Sequence, residues 1–302
     1  MSHFLSNKTK AKQEADSTAA CFASLTGISL KPAYYQAILQ QHPEIGFFEI
    51  HAENYLSKGG PAAYYLRQIR QDYDITVHGV GLSIGGEQKL DLCHLDKVAN
   101  LVDDIQPVYF SEHLAWSSHQ QNFYNDLLPV RYDTASLHRV CQHIEEVQER
   151  MQRQILIENP SSYLMFAGNE YSEIDFIKSM VKRSGCGLLL DINNVEVSCF
   201  NQSSSPFDYL DAFPMEAVKQ IHLAGHTLDD NPQVPLKIDS HDEAVSNDVW
   251  SLYQYALQGM GDCPTLIERD GNLPELTELI AEAQFADHIR SRLSKEEKSH
   301  AS

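Results

Sequence analysis

The sequence predicts a closed (β/α)8 barrel. Eight short apolar runs recur along residues 25–271, and segments with apolar residues at helical spacing lie between them. Strand–helix alternation of this kind favours a parallel sheet, and eight repeats within about 250 residues favour closure. The main structural alternative, an open doubly wound sheet, is opposed by the absence of a G-x-G-x-x-G fingerprint after the first run.

LTGISL (25–30) is the first run. IGFFEIHAEN (45–54) ends on His51, Glu53 and Asn54, and ITVHGVG (75–81) carries His78. VYFSEHLAW (108–116) brings Glu112 and His113, and ILIENP (155–160) ends on Glu158 and Asn159. GLLLDINN (187–194) runs from three leucines into Asp191 and Asn194. QIHLAG (220–225) carries His222, and TLIERDG (265–271) ends on Glu268 and Asp270. Between runs, SLHRVCQHIEEVQERM (136–151) and YSEIDFIKSMVKRSG (171–185), the latter ending in Gly, read as helices. The stretches 117–135 and 226–247 read as irregular loops on the carboxyl-terminal face, where barrels build active sites. The expected organisation is a polar tail over 1–24, one barrel domain over 25–290 and a charged tail over 291–302.

Composition narrows the function. A net charge of −19, with no cluster of Lys and Arg, argues against a nucleic-acid partner. No apolar run reaches the ~18–20 residues that span a bilayer. The first residues lack the apolar core of a secretory signal, so a cytoplasmic location is expected. The six cysteines show no C-x-x-C pair and read as free thiols.

On a barrel the polar run-ends converge on one mouth. Asp239 and His241 of KIDSHDE join them from the loop after the seventh run. Carboxylates so gathered repel one another unless cations pair with them. Mixed imidazole and carboxylate donors without cysteine suit Fe, Mn or Zn. The expected ligands are His51, His78, Glu158, Asp191, Asn194, His222, Asp239, His241 and Glu268. Nine exceeds one ion of six ligands and suffices for two or three, with Glu158 as the expected bridge. Glu158, Asp191 and His222 are also the expected catalytic groups. Glu112 and His113 read as groups that orient the ligands, as do Glu53, Asn54, Asn159 and Asp270.

The blocks FFEIHAENYL, TVHGVGLSIG, SEHLAWSS, DLLP, LIENPSSYL, GLLLDINNVEVS, IHLAGH, DSHD and LIERDG, spread over roughly residues 26–285, resemble the multinuclear non-haem iron-dependent oxidases. That family includes the methanobactin-biosynthesis oxidase. The resemblance implies a xylose-isomerase-like barrel holding two or three iron ions in mixed Fe(II)/Fe(III) states, with O2 as cosubstrate. It implies a Cys-containing precursor peptide as substrate and a separate peptide-recognition partner protein. It places the ligand role on the nine residues above and His226 of IHLAGH just outside them. The rivals are a three-zinc endonuclease-like hydrolase, a sugar isomerase and a non-catalytic metal binder. Asn194 stands where the hydrolase usually supplies a His, and four imidazoles fit poorly with the hard metals of an isomerase.

Overall fold

The computed structural model describes residues 26–119, 122–229, 231 and 234–300. The N-terminal segment 1–24, with Cys21, lies outside the described residues. Eight parallel strands close into a barrel. In chain order they are β1 (Gly27–Ser29), β2 (Phe47–His51), β3 (Asp74–Gly79), β4 (Phe110–His113), β7 (Leu156–Glu158), β8 (Gly187–Asp191), β9 (Val218–Leu223) and β12 (Thr265–Ile267). Six fall inside a predicted run; β3 begins one residue before its run and β9 two residues before its own. Each strand pairs with its neighbours in this order, and β12 returns to β1.

Two stretches read from sequence as irregular loops contain short antiparallel hairpins. They are β5 (Trp116–His119) with β6 (Asn122–Leu128), and β10 (Thr227–Asp229) with β11 (Leu236–Ile238). The polar run SSHQQN hides the first hairpin because it lacks the apolar alternation of a half-buried strand.

The helices are α1 (Tyr35–Gln41), α2 (Pro61–Ile69), α3 (Leu92–Ile105), α4 (Thr134–Met151), α5 (Glu173–Ser184), α6 (Ile192–Asn201), α7 (Pro206–Ala212), α8 (Asn247–Met260) and α9 (Leu276–His300). The segment expected as a charged C-terminal tail is therefore helical as far as His300. None of the described helices is long and apolar enough to cross a membrane. Helix α4 shows why these segments form. Asp133 caps its start by accepting from Ser136 N, and Leu137, Val140, Cys141, Ile144 and Val147 bury one stripe. Ser172 caps α5, and Gly185 closes it in the left-handed conformation at φ 68°.

Side chains alternate along a strand, so inward residues recur every second position. The barrel interior is therefore tiered. Phe47 and Leu266 pack together at the bottom, where Gly27 leaves room: a Cβ there would stand 2.6 Å from the Phe47 ring. Glu49, Thr76 and Gln220 form a polar middle tier. Two residues on, His51, His78 and His222 open onto the mouth, and β12 delivers Glu268 just past its last paired residue.

One buried ion pair braces the second hairpin. Lys237 Nζ on β11 lies 2.5 Å from Glu196 Oε1 on α6, and both residues are buried. Lys237→Met strands the Glu196 carboxylate and should cost about 3–5 kcal/mol in urea unfolding. Adding Glu196→Met should recover most of that loss; no recovery would show the pair is not the source.

Candidate metal centre

The predicted run-ends meet at the carboxyl-terminal mouth. Four overlapping groups of donor atoms lie there, each within 4.8 Å: His78–His113–Glu158, Glu158–Asp191–His222, Asp191–His241–Glu268 and His51–Glu268–Asp270. Glu158, Asp191 and Glu268 are each shared by two groups. His113 and Asp270, expected to orient ligands from outside, stand among the donors.

The contacts within these groups, and of Asp239 beside them, have an unusual form. Glu158 Oε2 lies 3.2 Å from His78 Nε2 and 3.3 Å from His113 Nε2. His222 Nδ1 lies 3.0 Å from Glu268 Oε2, and His241 Nε2 lies 2.7 Å from Asp239 Oδ1. Yet Glu158 Oε2, His222 Nδ1 and His241 Nε2 form no hydrogen bond, and neither do Asp191 Oδ2 or Asn194 Oδ1. Buried polar atoms seldom go unpaired, and here five such atoms belong to one cluster. Two donors each about 2.1 Å from one ion, at roughly a right angle, stand about 3 Å apart. The donor set therefore fits bound divalent metal.

Asp191 shows how the LLLDINN stretch serves both fold and site. Its Oδ1 accepts from Asn194 N at 2.6 Å and caps α6, which leaves Oδ2 facing the centre. Asn194 donates through Nδ2 to Glu158 Oε1 at 3.2 Å. Asn159 ties β7 to β8, donating to Asp191 O and accepting from Asp191 N, both at 2.9 Å. Glu112 accepts from Leu82 N and His113 N. Glu53 accepts from Val80 N and pairs with His94 Nε2 at 3.0 Å. Asn54 is exposed on the short turn Ala52–Tyr55 and does not line the mouth cavity.

Asn193, not among the expected site residues, donates to Asp239 Oδ1 at 2.7 Å, and its Oδ1 lies 2.8 Å from His226 Nδ1. Glu49 was missed as well. Its only sequence signal is a carboxylate two residues before His51, on the same strand face.

Taken alone, the protein groups balance their charges with protons. Burial opposes ionisation of Glu158, but His113 and His78 against it hold its carboxyl at about 2. Burial would lower His113, yet Glu158 and Glu112 push it up to about 9. Burial likewise acts against charge on His222 and His241, and the adjacent carboxylates raise both. Asp191 is raised by burial and by Glu158. Cations would take the place of those protons.

A cavity of about 560 Å3 opens above the donors, walled by Phe123, Tyr124 and Leu127 of β6 and by Ser161 and Tyr163. Trp116 braces this wall, donating from Nε1 to Pro129 O at 2.8 Å with Tyr124 edge-on at 6.0 Å. Of the described cysteines, Cys93 is exposed and Cys141, Cys186, Cys199 and Cys263 are buried, all as free thiols. The GLSIGGEQ stretch owes a glycine to packing: a Cβ on Gly85 would stand 2.2 Å from Val130 Cγ2.

Residues 25–291 match the family of RiPP precursor modification enzymes MbnB/TglH/ChrH. The chain belongs to that family. Among curated relatives, a UPF0276 protein of Rhizobium meliloti strain 1021 is 50% identical over 271 residues, covering 89% of this chain and 87% of its own. One from Paraburkholderia phytofirmans is 48% identical, covering 91% of both. Among solved structures, a xylose isomerase-like TIM barrel protein from Mycobacterium smegmatis in complex with magnesium superposes with a TM-score of 0.57 at 12% identity, over 89% of this chain and 97% of that one. Endonuclease IV from Thermus thermophilus gives 0.54 at 13% identity, over 90% and 99%. These two likenesses establish the barrel alone. Membership in the MbnB/TglH/ChrH family, with the clustered donors, makes this a metal-dependent enzyme.

Proposed function

We propose that the protein is a multinuclear iron-dependent, O2-using oxidase that modifies cysteine residues of a ribosomally made precursor peptide. The observation that carries this reading is the cluster of buried, unpaired imidazole, carboxylate and amide atoms at the mouth, in a chain of the MbnB/TglH/ChrH family. His51, His78, Glu158, Asp191, Asn194, His222, Asp239, His241 and Glu268 would hold two or three iron ions, and His113 and Asp270 are close enough to join them. Iron held there would supply one-electron redox chemistry between a cysteine thiol and O2.

The chain's own residues do the rest. The β6 wall and Tyr163 bound a cavity wide enough for a cysteine and its neighbours. Tyr163 also fixes the far rim, its hydroxyl accepting from Asp239 N at 2.8 Å. Glu158, Asp191 and His222, at the centre of the donor groups, hold the charge balance as substrate enters. A separate protein that presents the peptide is the expected partner, and the cytoplasm the expected compartment.

Anaerobic purification with metal quantification, Mössbauer and EPR spectroscopy tests the reading. Two or three irons per chain are expected, and oxygen uptake with a Cys-containing peptide encoded beside the gene. Stoichiometric zinc after growth in iron-rich medium, with no oxygen uptake, would overturn it.

A further inference from the structure

We infer that Glu49, one tier below the mouth, is a positioning residue that fixes which nitrogen His222 offers to the metal centre. The inference rests on the metal-centre reading above. His222 is fully buried, and its two ring nitrogens face different tiers. Nε2 lies 3.0 Å from Glu49 Oε1 and 3.2 Å from Gln220 Nε2, as two nitrogens do when each donates to one oxygen of the same carboxylate. Nδ1 has no hydrogen bond and faces Glu268 Oε2 in the donor cluster. A proton on Nε2, donated to Glu49, leaves the Nδ1 lone pair for an ion.

Glu49 is itself held rigidly. Its Oε2 accepts from Thr76 Oγ1 at 2.8 Å and from Gln220 Nε2 at 2.7 Å. These bonds come from β3 and β9, so the carboxylate cannot rotate away without breaking ties to two strands. Glu49 does not line the cavity, which leaves it no access to a substrate.

Comparison with the other buried imidazoles shows what is particular here. His78 Nδ1 meets the Ser111 hydroxyl at 2.7 Å, and His113 Nδ1 meets the Gly79 carbonyl at 3.2 Å. Both partners are neutral, and the Glu112 carboxylate near His113 Nδ1 stands farther off, at 3.6 Å. Glu49 is a carboxylate, and a carboxylate behind an imidazole raises its strength as a ligand as well as its orientation. Of these three, His222 is the imidazole with a carboxylate at 3.0 Å from the nitrogen turned away from the donor cluster.

Cobalt(II) titration of metal-free protein, followed by visible absorption, tests this without turnover. Glu49→Gln preserves volume and should weaken cobalt binding about 10- to 100-fold and shift the d–d bands. Thr76→Val loosens the carboxylate without removing it and should move both readouts the same way by less. A purely structural role would lower the melting temperature of the metal-free protein and leave cobalt affinity and spectrum unchanged. That result in Glu49→Gln, or in Thr76→Val if the first variant does not fold, overturns the inference. Failure of the unmodified protein to bind cobalt would instead count against the metal centre, while the oxidase reading stands or falls on oxygen uptake.

Discussion

Glu158→Gln should leave the barrel folded and remove at least one metal ion per chain. Glu158 sits at the junction of two donor groups, His78–His113–Glu158 and Glu158–Asp191–His222, so one substitution reaches both. Glutamine keeps the volume and can still accept from Asn194 Nδ2, now 3.2 Å from Oε1. It cannot supply the negative charge that two imidazoles face at 3.2 and 3.3 Å. Charge stabilisation by a catalytic metal is worth several kcal/mol, and each ~1.36 kcal/mol is tenfold in rate. Turnover should therefore fall by about 10³ or more. Metal content by mass spectrometry and oxygen uptake read this directly; full metal loading with undiminished turnover would remove Glu158 from the centre.

The second large effect is expected at a residue that offers no side-chain donor, Gly225→Ala. A Cβ on Gly225 would stand 2.2 Å from Glu243 O and 2.6 Å from Ala244 O. Both obstacles are backbone, so no rotamer change relieves the clash and the 239–245 segment must shift. That segment presents Asp239 and His241. His241 adopts φ 50°, where a non-glycine residue is costly. It is held there by donating from its N to Gly225 O at 3.1 Å and by accepting from Asp270 N at 2.7 Å. Overpacking should cost about 1–3 kcal/mol in urea unfolding. It should also empty the Asp191–His241–Glu268 group while sparing His78–His113–Glu158, lowering metal content by one ion. Stability within about 0.5 kcal/mol of the parent, with full metal, would show that the segment does not depend on this contact.

The sequence by itself determined the barrel and where its chemistry would gather. Strand–helix alternation and polar run-ends are one-dimensional patterns, set by side-chain periodicity along each segment. His78, Glu158, Asp191, His222 and Glu268 could be read as mouth residues because each interrupts or closes an apolar run, whatever its neighbours. Other features depended on closure. His113 stands beside Glu158 because β4 pairs with β7 in the register His113↔Glu158, with a hairpin and a helix between them in the chain. Asp270 enters a donor group because β12 closes on β1, and β1 on β2, which ends on His51. Glu49 looked like one polar residue in an apolar strand. Only the meeting of β3 and β9 around it inside the barrel turned it toward His222. Spacing along the chain fixes which face a side chain takes, but contacts between residues 171 positions apart, such as Glu49 and Gln220, exist only once the sheet has closed.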